Sequence, residues 1–400
     1  MKKAISLFLV LCMLFCIAIP AFAADDKTLK FDENGKFKIL VFNDIQDDED
    51  VDVRSLELIR RSIETEQPDL VVLNGDQISD INFEIGYSSY TKTIRSICDV
   101  IQATGTPFLF TYGNHDADKS IAFPLSQQSK VYRSYSMCYA ANNGPDTGTY
   151  NNVVMSSDGS RMALNIYMMN TGAWDLEGWL SGITPTQLRW YKNTSNQLKK
   201  DNGGEVVPSI VFQHIPVKET YKVFREVDPR TEGAIRGNFF GTSYKGYVLD
   251  EAKLVQPAKS GPQDAVFKSA VCSEHPFKYT GQYAAWLQQG DVFAAFFAHD
   301  HKNNFISKTD DGIILGYNRG AGFATEGDGD KRGGRVFVFY EDDVTNFDFY
   351  NVTYADLFPG VPVEDTEGGI GFIANNLLQT IRAKIADTFF WMFYPGASFC

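Results

Sequence analysis

The sequence predicts an α/β protein whose sheet has parallel parts. Three observations lead there. In the first half, apolar β-like runs alternate with amphipathic helical segments, the strand–helix–strand order of a partly parallel sheet. In the second half, apolar runs are separated only by polar, turn-like segments. Five of the runs end in Asp, Asn-His or His. In open α/β sheets, ligands gather at the carboxyl ends of the strands.

The elements follow in order. Lys2 and Lys3 precede an apolar run, Ala4–Ile19, and then Pro20-Ala21-Phe22-Ala23. This is the pattern of a secretory signal peptide cleaved after Ala23 or Ala24, which makes 1–24 a leader and the protein secreted or extracytoplasmic. A retained anchor is the alternative, but the run is near the lower length limit for spanning and its Ala-x-Ala ending favours cleavage. Ile39–Phe42 reads as a strand leading to Asp44. Ser55–Glu66 reads as a helix with Leu56, Leu58, Ile59 and Ile63 on one side. Leu70–Leu73 leads to Gly75-Asp76, and Tyr90–Thr104 is a second helix with Ile94, Ile97 and Ile101 on one face. Phe108–Tyr112 precedes Gly113-Asn114-His115-Asp116, with Tyr112 read as packing. Thr184-Pro185-Thr186-Gln187 has capping-box spacing and starts a helix through Leu198. Ile210–Phe212 leads to Gln213-His214-Ile215-Pro216, and Val292–Ala298 to His299-Asp300-His301. Gly312–Tyr317 and Arg335–Tyr340 complete the strand set.

Residues 25–357 then form one large domain, with 358–400 as a tail. Asp118–Thr149 and Lys218–Phe277 read as long loops, either lids or decoration. In the tail, Leu377, Leu378, Ile381, Ile385 and Phe389 recur at helical spacing within Asn375–Phe393. Arg382, Lys384 and Asp387 argue against a bilayer span. The tail is left to pack on the domain, lie on a membrane surface or bind another protein.

Composition limits the partners. The formal net charge is −13, and loss of Lys2 and Lys3 with the leader makes it −15. Such a protein repels nucleic acid and anionic membrane surfaces overall. Outside the leader, Cys98, Cys138, Cys272 and Cys400 form no Cys-x-x-Cys unit, so a zinc ribbon is not indicated. Three disulfide pairings are open to them, and buried free thiols are an equal alternative.

Four of the five histidines lie in the strand-end motifs, and only His275 stands apart. The residue types suit two divalent ions roughly 3.5–4 Å apart, which clamp a phosphoryl group and its attacking oxygen. A carboxylate bridges them, while imidazoles and hard oxygens fill the other positions. A free histidine nearby can protonate the leaving group. The plainer reading makes each histidine a polar residue at a strand end; five motifs in this order outweigh it.

Asp44-Ile45-Gln46, Gly75-Asp76, Gly113-Asn114-His115-Asp116, His214 and His299-Asp300-His301 resemble the successive motifs of calcineurin-like metallophosphoesterases, over roughly Lys36 to Tyr350. Phe212–Glu219 and His299–Phe305 resemble the purple-acid-phosphatase-like branch. The resemblance implies a four-layer α/β/β/α sandwich. It also implies that Asp76 bridges two metals, that Asp44 and His301 hold the first, and that Asn114, His214 and His299 hold the second. His115 would stay unligated and act on the leaving group or steady the phosphate, with Asp116 or Asp80 orienting its ring. The substrate implied is a small-molecule phosphate ester, most simply a phosphomonoester. Attack is by metal-bound hydroxide, without a phosphoenzyme. A phosphodiesterase on the same site is one alternative. A secreted, non-catalytic binding module on a decayed scaffold is the other. Arg319, in Asn318-Arg319-Gly320-Ala321-Gly322, could face the phosphate or sit in a salt bridge, and Arg236 is a weaker candidate.

Two departures from the pattern matter. The family's Asp-x-His is Asp44-Ile45-Gln46 here. An amide oxygen is a weaker and harder ligand than imidazole, so the first site should favour Mn²⁺, with Mg²⁺ or iron preferred to Zn²⁺ there, or water should replace Gln46. The tyrosine of true purple acid phosphatases, three residues after the bridging Asp, is Ser79 here, so no tyrosinate–iron colour is expected.

Overall fold

The computed structural model describes residues 27–79, 87–117, 123–172, 182–236, 245–271 and 279–363. The leader, Asp80, His275, Cys272, Cys400 and the tail's apolar stretch lie outside them. The strands are β1 (Leu29–Lys30), β2 (Lys36–Phe42), β3 (Leu70–Asn74), β4 (Phe108–Thr111), β5 (Tyr150–Met155), β6 (Met162–Met169), β7 (Ser209–Gln213), β8 (Phe224–Val227), β9 (Ile235–Arg236), β10 (Gly246–Leu249), β11 (Val292–Phe297), β12 (Phe305–Lys308), β13 (Ile314–Tyr317), β14 (Gly333–Tyr340) and β15 (Asp348–Thr353). The helices are α1 (Val53–Glu66), α2 (Tyr87–Thr104), α3 (Leu125–Arg133), α4 (Pro185–Asp201), α5 (Gln282–Gln289) and α6 (Tyr354–Leu357).

Strand periodicity separates the layers. Side chains alternate between faces along a strand. On β2, Ile39 and Val41 enter one apolar cluster and Leu40 and Phe42 another. On β7, Ile210 and Phe212 share the first cluster, while Val211 turns away into a third. These strands are apolar on both faces because both faces are covered. A five-stranded sheet runs β15-β14-β2-β3-β4, with β2, β3 and β4 mutually parallel. A seven-stranded sheet runs β1-β5-β6-β7-β11-β13-β12, with β6, β7, β11 and β13 parallel. The inner cluster joins the two: Ile39, Val41, Leu70, Val72 and Phe337 from one sheet meet Ile166, Ile210, Phe212 and Phe296 from the other.

Helices close both outer faces. α1 and α2 lay Leu58, Ile59, Ile63, Ile94, Ile97 and Ile101 on the five-stranded sheet. On the seven-stranded sheet, α4 and α5 bring Tyr191, Tyr283 and Trp286. Each such side chain, fully buried, contributes about 1.5–3 kcal/mol. The result is the four-layer α/β/β/α sandwich. The Thr184–Gln187 capping box forms with Pro185 in the first turn, and α4 runs on to Asp201, past the expected end at Leu198.

The two long segments are largely built into the layers. Asp118–Thr149 supplies α3, whose Val131 and Tyr132 join the α1–α2 cluster. Lys218–Phe277 supplies a three-stranded sheet, β8-β10-β9, whose Phe224 and Tyr247 join the same apolar cluster as Tyr191, Tyr283 and Trp286. Sequence periodicity missed that sheet because its strands are two to four residues long. Cys98 and Cys138 are buried free thiols.

One side chain ties the ends of β3 and β4 together. The buried Asp116 carboxylate accepts backbone N–H bonds from Asp76 (2.8 Å), Gln77 (3.0 Å), Ile78 (3.2 Å) and Gly113 (2.8 Å). Its ring-orienting role beside His115 is therefore replaced by a structural one: both carboxylate oxygens are engaged with main chain. A buried N–H left without its acceptor costs about 1–3 kcal/mol. Asp116→Ala should therefore lower the unfolding free energy of the metal-free protein by at least about 3 kcal/mol in urea titrations. Asp116→Asn, which keeps one acceptor oxygen, should lose less.

Candidate metal centre

The strand ends gather their polar side chains at one place. Asp44 follows β2, Asp76 follows β3, Asn114 and His115 follow β4, His214 follows β7, and His299 and His301 follow β11. The chain makes sharp turns to do this. Asp44, Gln46, Asp76 and His299 all have left-handed backbones, with φ of 51°, 44°, 52° and 76°. The turns are bonded to one another: Asp44 N donates to Gly75 O at 3.1 Å and Gln46 N to Asp76 O at 2.9 Å. Gly113 has no room for a side chain, since a Cβ there would stand 2.1 Å from Asp76 Oδ1.

Asp76 is the hub. His214 Nε2 lies 3.0 Å from its Oδ2, Gln46 Nε2 donates to the same oxygen at 3.0 Å, and the His115 backbone N–H donates to Oδ1 at 2.8 Å. Asp44 is second: its Oδ1 lies 3.3 Å from His301 Nε2 and 3.7 Å from His214 Nε2, and its Oδ2 accepts the His299 N–H at 3.3 Å. One ligand atom each from Asp76, His214 and His299 lies within 4.8 Å of the others, a cluster able to hold a metal ion. Asn114 stands beside them in the chain with both amide atoms buried and without a partner. A buried amide with no hydrogen bond is costly, and a cation on its oxygen is a physical reason to keep it.

The imidazoles are aimed by their outer neighbours. His214 Nδ1 donates to Asn74 O at 3.1 Å and His301 Nδ1 to Glu326 O at 2.9 Å, which turns both Nε2 atoms inward. Burial disfavours charge on His214, but Asp76 and Asp44 outweigh it and raise its pKa to about 9. Burial likewise opposes charge on His301, and Asp44 overcomes it, again raising the pKa to about 9. Burial and the neighbouring His214 lower His299 to about 3, so it is neutral. Burial works to raise both carboxylates, yet His301 and His214 hold Asp44 low, and His214 and His115 hold Asp76 low.

Some candidates take other tasks. The Arg319 guanidinium is ion-paired with Asp264 at 2.8 Å and Asp328 at 3.0 Å, while its buried Nη1 has no hydrogen-bond partner among the described residues. Its segment still brackets the centre through main chain: Ala321 N donates to Asn43 O at 2.9 Å and Gly322 N to Asp44 O at 3.0 Å. Gly322 fits there because a Cβ would meet Ile45 O at 2.0 Å. Arg236 lies on β9, in the small outer sheet. Tyr112 packs against Phe110 and Tyr132 and donates to Leu125 O. Gln46 reaches the centre but presents its N–H₂, while its oxygen accepts from Thr325 Oγ1 at 2.6 Å. Sequence reasoning missed Asn43, Asn74, Thr325 and Glu326. Asn43 and Asn74 were findable, as amides closing the same apolar runs as Asp44 and Asp76. Asn43 donates to Asp44 Oδ2 at 2.6 Å. Thr325 and Glu326 carry no local signal, because they act through a loop distant in sequence.

Comparisons with known proteins identify the family. A family model described as calcineurin-like phosphoesterase matches residues 37–303. Two Arabidopsis thaliana proteins, named "Probable inactive purple acid phosphatase 14" and "Probable inactive purple acid phosphatase 29", are 24% and 25% identical. Their alignments cover 78% and 83% of this chain and 77% and 84% of the relatives. Among solved structures, a dimetal phosphatase from Danio rerio is similar at a TM-score of 0.46 and 11% identity, covering 80% of this chain and 99% of that one. With the family model spanning more than half of its length and the strand-end motifs brought together at one site, the chain belongs to the calcineurin-like phosphoesterase family, with purple-acid-phosphatase-like relatives.

Proposed function

We propose that this protein is an exported, metal-dependent phosphoesterase that hydrolyses small phosphate esters, phosphomonoesters foremost, at a two-ion centre. The observation that carries the reading is Asn114: a fully buried amide with neither atom bonded, next to a cluster of Asp76, His214 and His299. In the proposed arrangement Asp76 would help to hold both ions. Asp44, His301 and Gln46 would hold the first, and Asn114, His214 and His299 the second. When bound, divalent ions neutralise phosphate charge and lower the pKa of water.

The chain's own groups do the rest. Asp44 and Asp76 are held ionised by their imidazole neighbours and so need no prior deprotonation. His115 is placed by its backbone bond to Asp76 Oδ1, in the turn directly after β4. In this reading its ring gives a proton to the departing ester oxygen, the only proton transfer a side chain has to supply. The packing keeps Asp44, Asp76, Asn114 and His214 fully buried, which strengthens the charge interactions among them.

A second reading has a specific observation behind it. The Arabidopsis relatives carry "inactive" in their names, and Gln46 stands where the family pattern has histidine. On that reading the scaffold binds a phosphate compound without turning it over. A colorimetric phosphate-ester assay after metal reconstitution decides between them: turnover supports the enzyme, and its absence in fully loaded protein supports the binder.

Three outcomes are expected of the enzyme. Asp76→Asn should strip most of the bound metal along with the activity. His115→Ala should keep its metal yet slow hydrolysis of poor-leaving-group esters by about 10²–10⁴-fold, with a smaller loss for a good leaving group that needs no proton. Equal losses for both substrates would leave His115 a phosphate-positioning role. Metal uptake should also depend on pH. His214 and His301 are raised to about 9, so in the ion-free protein both are protonated below that pH. An ion must displace those protons. Affinity should therefore fall as pH falls, by about tenfold per pH unit for each proton released. Calorimetric titrations in buffers of different ionisation enthalpy, between about pH 6 and pH 8, would count the protons.

A further inference from the structure

The two halves of the centre differ in readiness, and the difference lies in Gln46. Asn114 has both amide atoms unengaged. Gln46 has both taken: Oε1 accepts from Thr325 Oγ1 at 2.6 Å, while Nε2 donates to Asp76 Oδ2 at 3.0 Å and stands 3.2 Å from His301 Nε2. The contact with Asp76 favours this orientation. A turned amide would set its carbonyl oxygen against a carboxylate oxygen, two acceptors with no proton between them. The N–H₂ thus gives Asp76 part of the positive charge that a cation would supply, and it offers a cation no lone pair.

Thr325 is 4% exposed and belongs to a segment pinned by the buried Arg332. That guanidinium donates to Thr325 O at 2.9 Å, Gly322 O at 2.7 Å and Gly329 O at 3.1 Å. The adjacent Glu326 carbonyl aims His301. Two consecutive residues therefore position both Gln46 and His301. A threonine hydroxyl donates or accepts. It holds Oε1 in the orientation seen, and it can accept from Nε2 once the amide has turned its oxygen inward.

We propose that the ions load in order. The position formed by Asp76, Asn114, His214 and His299 fills first. The position of Asp44, Gln46 and His301 fills second, and only when the Gln46 amide turns over, with Thr325 as its hydroxyl partner in both states. This rests on the reading of the site as a two-ion centre. Giving up a hydrogen bond to a charged carboxylate makes the second step weaker by at least about tenfold.

The test is titration of the metal-stripped full chain with Mn²⁺, followed by calorimetry and by electron paramagnetic resonance, which separates a lone ion from a spin-coupled pair. The expected result is one tight step with the lone-ion signal, then a weaker step with the coupled signal. His301→Ala should remove the weak step and spare the tight one. Gln46→His, whose imidazole presents a lone pair without turning an amide, should bring the two steps close together. Thr325→Val, which orphans the turned N–H₂, should weaken only the second step, and Thr325→Ser should restore it. Two equal steps in the unmodified protein, or a coupled signal from the first equivalent, overturns the order while leaving the two-ion reading intact. No Mn²⁺ binding at all overturns both. The unmodified titration needs no variant, so a variant that fails to fold, seen by circular dichroism, leaves the result decisive.

Discussion

Everything at the centre depends on four residues held in a backbone conformation that side chains disfavour. Asp44, Gln46, Asp76 and His299 are left-handed, and among the described residues only one other non-glycine, Gln67 at the end of α1, shares that geometry. The left-handed region costs an ordinary residue roughly 1–2 kcal/mol. Such strain persists where its surroundings over-determine it, and it clusters at functional sites. Here the surroundings can be named. Asp116 holds the turn after β3 through three backbone N–H groups and reaches across to Gly113. The Asn318–Gly322 segment holds the turn after β2 through main-chain bonds to Asn43 and Asp44. The strain points both carboxylates at one volume instead of along their strands.

Charge complementarity follows from that placement. Two buried carboxylates so close together would be unfavourable without cations. In the ion-free protein, protonated His214 and His301 supply the charge, which is why both imidazoles are raised to about 9. On the proposed reading, the same two rings would give up those protons to bind a metal. Their direction is set by the Asn74 and Glu326 carbonyls, which turn both Nε2 atoms inward.

The arginines near the site act on the frame. Arg319 pairs with Asp264 and Asp328, and Arg332 binds three carbonyls of the segment that carries Thr325 and Glu326. Both lie in the loop region after β13, whose Ala321 and Gly322 N–H groups bind the turn after β2 at Asn43 O and Asp44 O. An arginine beside a phosphate motif invites a substrate role, but a fork of donors is equally suited to several carbonyls at once.

Much of this was legible in the chain itself. The apolar run Ile39–Phe42 of β2, the helical spacing of Ile94, Ile97 and Ile101, and the Thr184–Gln187 box are local patterns, and each produced the element it announced. The order of Asp44, Asp76, Asn114-His115, His214 and His299-Asp300-His301 at strand ends was local too, because a parallel sheet delivers successive strand ends to one edge. What the sequence could not decide was anything set by contact between distant segments. The small sheet of β8, β9 and β10 is too short to show a period. Asp116 and Arg319 were both placed near the phosphate chemistry by proximity in the chain, yet folding gave the first to four backbone N–H groups and the second to two carboxylates. Whether Gln46 presents oxygen or nitrogen depends on Thr325, nearly three hundred residues away, and on the charge of Asp76 beside it. Residue type and spacing determine which ligands are available. Only tertiary packing determines which of their atoms are already in use.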